Sequence, residues 1–157
     1  MSRSSVSTEK KTPKGITTRK YRVDDVSQIV AIQEAIIKKK VSKKWILMVK
    51  DHLRRREGTG FVALKDNRIV GFIIGEMKGA GFGIEQSGWI EAVGVHPSYM
   101  GVGIGQALAT ELFKFFKKRG IHDIYTAVRW DAVDMLSFFK ALGFDRSTFV
   151  NLTKHLD

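Results

Sequence analysis

The residues best placed to do chemistry lie in one stretch, Val93-Gly94-Val95-His96-Pro97-Ser98-Tyr99-Met100-Gly101-Val102-Gly103-Ile104-Gly105. An apolar strand runs into Pro97. A loop with glycines at alternate positions then opens onto a helix predicted over Ile104 to Lys118. Glycines remove Cβ atoms where backbone amides must come close to something. A helix start adds unpaired N–H groups and the positive end of the helix dipole. That combination suits an anion, above all a phosphate. Two other phosphate loops do not fit. No Gly-Lys pair is followed by Ser or Thr. A dinucleotide fingerprint counted from Gly103 would need its third glycine where Leu108 stands.

The stretch resembles the pyrophosphate loop of the GNAT superfamily of N-acetyltransferases. That family follows a strand and a Val-x-Pro-like corner with Gln/Arg-x-x-Gly-x-Gly/Ala. The pattern here is Met100-Gly101-Val102-Gly103-Ile104-Gly105, with Met at the first, polar position. A second run, Phe138-Phe139-Lys140-Ala141-Leu142-Gly143-Phe144, is similar to the family's late helix ending Phe-Tyr-x-x-x-Gly-Phe. The resemblance covers most of residues 16 to 154. It implies the mixed α/β GNAT fold, with coenzyme A in a V-shaped opening between two splayed central strands and acetyl-CoA as cosubstrate. Val93, Gly94 and Val95 would then present a strand edge to the pantetheine amides, and Gly94 would permit close approach. Amides from Gly101 through Val102, Gly103, Ile104 and Gly105 to Gln106 would hold the pyrophosphate. A backbone N–H near Val93 would polarise the thioester carbonyl.

Acetyl transfer needs a deprotonated amine, a polarised thioester and a proton for the leaving thiolate. Glu91 is the candidate base. Strand alternation predicts Trp89, Glu91, Val93 and Val95 on one face. The family often places a Tyr in the late helix as general acid, but the matching residue, Phe139, has no proton to give. Asp131 lies near where many family members touch the cofactor with Asn, and either Asp131 or Asp134 is expected to open the late helix. His96 at the corner before Pro97 is expected to hydrogen-bond locally. With four His, no Cys and no His pair at ligand spacing, no metal site is expected. Trp45, Trp89 and Trp130 are candidates for the acceptor groove, with core packing their commoner use.

The elements that must position these groups follow from pattern. A strand is predicted over Ile16 to Tyr21, and a helix from Asp24 or Asp25 to Lys39 with Val26, Ile29, Val30, Ile32 and Ile36 at helical spacing. Ser42 caps a second helix ending near Gly58. Phe61 to Lys65 and Arg68 to Met77 form a hairpin through Asp66-Asn67. Lys78 to Gly88 is predicted as loop and Trp89 to Val95 as strand. Gly120 ends the central helix. A strand over Ile121 to Arg129, the late helix and a last strand over Ser147 to Thr153 complete the chain.

The 157 residues suit a single domain, 16–157, behind a basic, Ser/Thr-rich tail, 1–15, expected to be disordered. No apolar run approaches bilayer length. The polar N-terminus has no secretory signal, so a cytoplasmic setting and no membrane partner are expected. The net charge of +11 comes partly from the tail and partly from nine Lys and Arg residues between Lys38 and Arg56. Solvated helix faces account for these better than a nucleic-acid surface, because no aromatics are interleaved with them. The acceptor is expected to be a primary amine of a small molecule or a peptide. The alternative is a non-catalytic acyl-CoA sensor on the same fold, motivated by Phe139 and Met100. The segment after Phe144 is a candidate for pairing with a second copy.

Overall fold

A computed structural model describes residues 12–79 and 85–157. Most of the expected tail, and Gly81 and Gly83 of the expected loop, lie outside the described residues. Residues 12–15 form a turn closed by the Ile16 N–H on the Pro13 carbonyl at 3.0 Å. The chain divides into two compact units, one up to Thr126 and one from Ala127 onward.

The first unit contains β1 (Thr17–Lys20), α1 (Val26–Ile37), α2 (Lys43–Arg54), β2 (Gly58–Lys65), β3 (Arg68–Gly79), β4 (Gln86–Val95), α3 (Ile104–Lys118) and β5 (Ile124–Thr126). The strands form one sheet in the order β1-β2-β3-β4-β5. Pairing is antiparallel except between β4 and β5, which run parallel on either side of α3. Local sequence explains several boundaries. The Ser42 hydroxyl accepts the Trp45 N–H at 3.2 Å and caps α2. Asp66 and Asn67 take positive φ, 50° and 62°, the conformation that closes a two-residue hairpin with the right twist. Gly120, at φ 74°, ends α3. Strands β3 and β4 run further than their patterns suggest, to Gly79 and from Gln86. Each supplies the other's backbone partners through Gly79↔Gln86, which extends the ladder into what reads as loop.

Helices α1 and α2 cover one face of the sheet, where Ile29, Ile32, Val49, Val62, Phe72 and Ile74 make a buried core. Helix α3 covers the other face with a stripe at i, i+4 spacing: Ile104, Leu108, Leu112 and Phe116, all buried. The sheet meets that stripe with glycines. A Cβ on Gly71 would come 3.0 Å from Ile104, one on Gly75 3.0 Å from Leu112, and one on Gly88 2.7 Å from the Phe116 ring. The helix side chains therefore seat directly against the sheet backbone at these glycines.

The Arg19 guanidinium grips the Asp25 carboxylate at 2.7 and 2.8 Å and joins β1 to the turn before α1. Burial alone would raise the Asp25 carboxyl. Hydrogen bonds from Arg19 and the Arg22 N–H, with the charges of both arginines, outweigh it and hold the group below the usual carboxylate range. The folded value lies below the unfolded one. The stabilisation is thus complete above the ordinary carboxylate range and is lost as pH falls through the folded value. Asp25→Asn is expected to cost about 2 kcal/mol at neutral pH. It should also flatten the acid limb of stability against pH, measured by urea unfolding from neutral pH downward.

The second unit holds α4 (Val133–Ala141). Its Phe139 is buried and meets Phe138 and Phe144 edge-on, with centroids 5.1 and 5.2 Å away. Two expectations need correction. No strand forms over Ser147 to Thr153: those residues have no regular structure. β-branched residues there favour a strand only where a ladder forms, and the sheet's strands are β1 to β5 alone among the described residues. Helix α4 opens after Ala132, with no side-chain cap. Arg129 engages the Asp131 carboxylate, and Asp134 is already inside the first turn.

Candidate active site

The site is laid out by a fork in the sheet. Strand β5 pairs with β4 only at Gly88, Trp89 and Ile90. The last tie is the Thr126 hydroxyl on the Ile90 carbonyl at 3.1 Å. From Glu91 to Val95, β4 has no strand partner on that side among the described residues. On its other side β4 carries a bulge. Ile74 faces Ala92 and Gly75 faces Ile90, so Glu91 is the extra residue.

The bulge overturns the expected alternation of Trp89, Glu91, Val93 and Val95. A Cβ at Gly88 would point at Phe116 of α3, whereas one at Gly94 would point at Phe72 and Ile36 on the α1 face. In an unbroken strand these two positions share a face. The extra residue inverts the pattern, so Glu91 parts from Val93 and Val95 and joins Ala92 and Gly94 on the α1/α2 face. Gly94 also differs from expectation. Its missing Cβ makes room for Phe72 and Ile36, at 2.8 and 2.9 Å, rather than for a ligand.

Past the fork the chain turns at a short helical turn, Pro97–Tyr99, closed by the Ser98 N–H on His96 Nδ1 at 3.1 Å. His96 thus bonds locally, as its place in the turn predicts. Gly101 and Gly103 follow at φ 83° and 97°. The first bond of α3 runs from the Ala107 N–H to the Gly103 carbonyl at 3.0 Å. The amides of Ile104, Gly105 and Gln106 therefore have no carbonyl of their own helix to bond. Nothing lies within 4 Å of where a Gly101 Cβ would stand. Met100 and Val102 are exposed, while the Ile104 side chain is buried beneath the loop. What this loop offers a ligand is backbone. The fork edge and these amides lie on one continuous path of chain, β4 to α3.

Glu91 has a polar setting. Its Oε1 is 3.5 Å from Lys78 Nζ, and Lys78 lies 4.5 Å over the Trp89 ring. Two residues that no local pattern pointed to stand beside it, His52 of α2 and Glu76 of β3. One ring nitrogen of His52 and one carboxylate oxygen from each of Glu76 and Glu91 lie within 4.8 Å of one another, and His52 Nε2 is 3.6 Å from Glu76 Oε2. Glu76 is bound by Arg55, Nη1 to Oε1 at 2.7 Å, and Arg55 is bound in turn by Asp51. His52 is spaced with Val49 and Leu53 as one more residue of α2's inner side, so its sequence context reads as packing. The pairing of β3 with β4 and the packing of α2 against the sheet bring the three together.

The remaining candidates are divided between the two units. Trp45 packs edge-on against Phe72 at 6.1 Å, and Trp89 stacks on Tyr125 at 5.1 Å. Trp130, Asp131, Phe138 and Phe139 belong to the second unit. Trp130 is 86% exposed. Hydrogen bonds from Arg129, at 2.9 and 2.8 Å, hold the Asp131 carboxyl below the usual range.

The family model described as the acetyltransferase (GNAT) family matches residues 27–144. An N-alpha-acetyltransferase of Sulfurisphaera tokodaii is 27% identical over 143 residues, 87% of this chain and 84% of the relative. A mycothiol acetyltransferase of Amycolatopsis mediterranei is 32% identical over 89 residues, but these are only 30% of its length. Among solved structures, an aminoglycoside acetyltransferase from an uncultured soil metagenomic sample, in complex with sisomicin, superposes with a TM-score of 0.76 at 19% identity. That match covers 91% of this chain and 97% of the other. An aminoglycoside 6'-N-acetyltransferase bound to a bisubstrate analogue of coenzyme A gives 0.76 at 14% identity over 90% and 99%.

Proposed function

The chain belongs to the acetyltransferase (GNAT) family, and from that premise we propose that it transfers the acetyl group of acetyl-CoA to the α-amine of a peptide. The observation that carries this reading is the fork. A strand edge without a partner leads straight into unpaired amides at the head of α3, and Glu91 sits where the two strands part. The cosubstrate suits what is there. Free main-chain groups from Glu91 to Val95 match the amides of a pantetheine arm. The glycine loop and helix head match a diphosphate. A backbone N–H near Val93 polarises the thioester carbonyl. Met100, exposed and apolar, leaves the diphosphate to the backbone. Water protonates the departing thiolate, which is a weak enough base to need no dedicated acid.

Glu91 takes the proton from the acceptor ammonium, directly or through water. An α-amine is easier to deprotonate than a lysine side chain by more than two units on the ordinary scale, which suits a half-exposed carboxylate already paired with Lys78. The S. tokodaii relative, an N-alpha-acetyltransferase matched along most of its length, supports the same acceptor class. A polycationic aminoglycoside is disfavoured by the net charge of +11.

The test has two arms. Acetyl-CoA at about 100 times its dissociation constant is expected to add roughly 2.7 kcal/mol of stability, seen as a rise in melting temperature. Acetyl transfer is then followed on a peptide with a free α-amine and blocked lysines, with an aminoglycoside alongside. A thermal shift with faster turnover of the aminoglycoside than of the peptide would overturn the acceptor assignment. Absence of the shift would overturn the cosubstrate site.

A further inference from the structure

We propose that His52 is the second proton station of acetyl transfer, receiving through Glu91 the proton that leaves the acceptor nitrogen. This rests on the reading of Glu91 as base. His52 Nδ1 lies 2.9 Å from the Met48 carbonyl. A carbonyl only accepts, so the ring carries its hydrogen on Nδ1 and the neutral ring turns a bare lone pair outward at Nε2. That lone pair is buried and has no hydrogen-bond partner. The group facing it is another acceptor, Glu76 Oε2, at 3.6 Å. Two acceptors confronting one another, one buried and the other largely shielded, are costly until a positive charge lies between them.

A proton is the charge that fits. Among the described residues, the charged groups linked to the ring are Asp51 of α2, Arg55 just past its end, Glu76 and Lys78 of β3, and Glu91 of β4. Arg55 and Lys78 already balance the carboxylates of Glu76 and Glu91. With Asp51 counted, the named groups carry one net negative charge: one proton on Nε2 neutralises it beside Glu76, whereas a divalent cation would overshoot to one net positive charge. Glu76 itself is fixed by Arg55, so it stays in place as the partner of the resulting imidazolium.

The reaction supplies the need. Acetylating an ammonium removes two protons from nitrogen. One must go before the lone pair attacks the thioester carbon. The other goes as the C–N bond is established and the C–S bond breaks. The thiolate sulfur takes one proton from water, and the net product is one proton to solvent. Glu91 alone can hold only one of the two. Passing the first to His52, across a distance that one water molecule bridges, frees Glu91 for the second. His52 touches no substrate in this scheme and is a positioning residue acting through Glu91.

The experiment compares wild type with His52→Gln, using acetyl-CoA and the blocked-lysine peptide from about pH 6 to pH 10. His52→Gln should lower kcat tenfold or more at neutral pH. The gap should close towards the alkaline end, where hydroxide removes the proton, and acetyl-CoA affinity should be unchanged. A uniform loss at every pH, or none, would overturn the proposal. So would a wild-type activity that requires added zinc and vanishes with a chelator. A second readout needs no turnover: nitrogen-15 NMR of His52. Wild type should show the neutral ring with its hydrogen on Nδ1 and Nε2 bare. A neutral ring with its hydrogen on Nε2 excludes the relay. A peptide left unacetylated by wild type would sink the acceptor reading instead, with the NMR result still deciding on His52.

Discussion

Replacing Glu91 with Gln is expected to lower kcat for peptide acetylation by about 100-fold or more, with acetyl-CoA binding unchanged. The amide keeps the shape and half-exposed position of the carboxylate but takes no proton. General-base removal typically costs between about 100-fold and 10,000-fold. Binding of the cosubstrate should hold because its contacts are main-chain groups of the fork edge and the α3 head, which the substitution does not reach. The change also releases Lys78 from its 3.5 Å pairing. That pair is partly exposed and contributes little to folding, so the melting temperature should move by no more than a degree or two. Steady-state kinetics over pH separate the possibilities. A loss that shrinks as pH rises identifies a missing base. An unchanged kcat would remove Glu91 from the chemistry and return the fork to a purely cosubstrate-binding role.

The second large effect is expected at Gly103, where Val should weaken acetyl-CoA binding by about 100-fold. Space is not the obstacle, since a Cβ there would meet Pro13 at 3.6 Å and Gln106 at 3.9 Å, both ordinary contacts. Conformation is. Gly103 is the N-cap of α3 at φ 97°, a region that costs an L-residue about 1–3 kcal/mol and a β-branched one at the upper end. The loop would relieve that strain by rotating, and rotation re-aims the amides of Ile104, Gly105 and Gln106. Losing two charge-assisted hydrogen bonds, each worth roughly 1.5–3 kcal/mol, gives the expected factor. Met100→Ala is the control. Its side chain is exposed and the loop holds its ligand by backbone, so affinity should stay within about twofold. Calorimetric titration with acetyl-CoA measures both. A Met100→Ala loss as large as that of Gly103→Val would mean that side chains, not main-chain donors, hold the diphosphate.

Much of the scaffold was readable from local signals because the responsible physics is local. The start of α3 at Ile104 and its stop at Gly120 follow from an apolar i, i+4 stripe bracketed by glycines. The Ser42 cap and the Asp66-Asn67 turn are set by a few neighbouring residues. The bulge at Glu91 has no such signature. It arises from how β3 and β4 share hydrogen bonds, and one unpaired residue inverts every side chain beyond it. The alternation argument therefore put Glu91 with Val93 and Val95 and missed its actual neighbours. His52 and Glu76 were hidden for the same reason, being 24 residues apart in sequence and joined only by tertiary packing. The segment Ser147 to Thr153 shows the converse failure, where strand-forming residues take no regular structure.

The glycine row beneath α3 sets an asymmetry between the two halves of the active site. Because Gly71, Gly75 and Gly88 carry no Cβ, only the buried Ile104, Leu112 and Phe116 side chains of α3 stand between helix and sheet. On the proposed reading, the donor half is framed by main chain held in close relation by that packing. The proposed acceptor half would instead be composed of side chains on α2, β3 and β4. New acceptors should be reached by point changes around Glu91, while a change of acyl carrier would demand a different loop altogether.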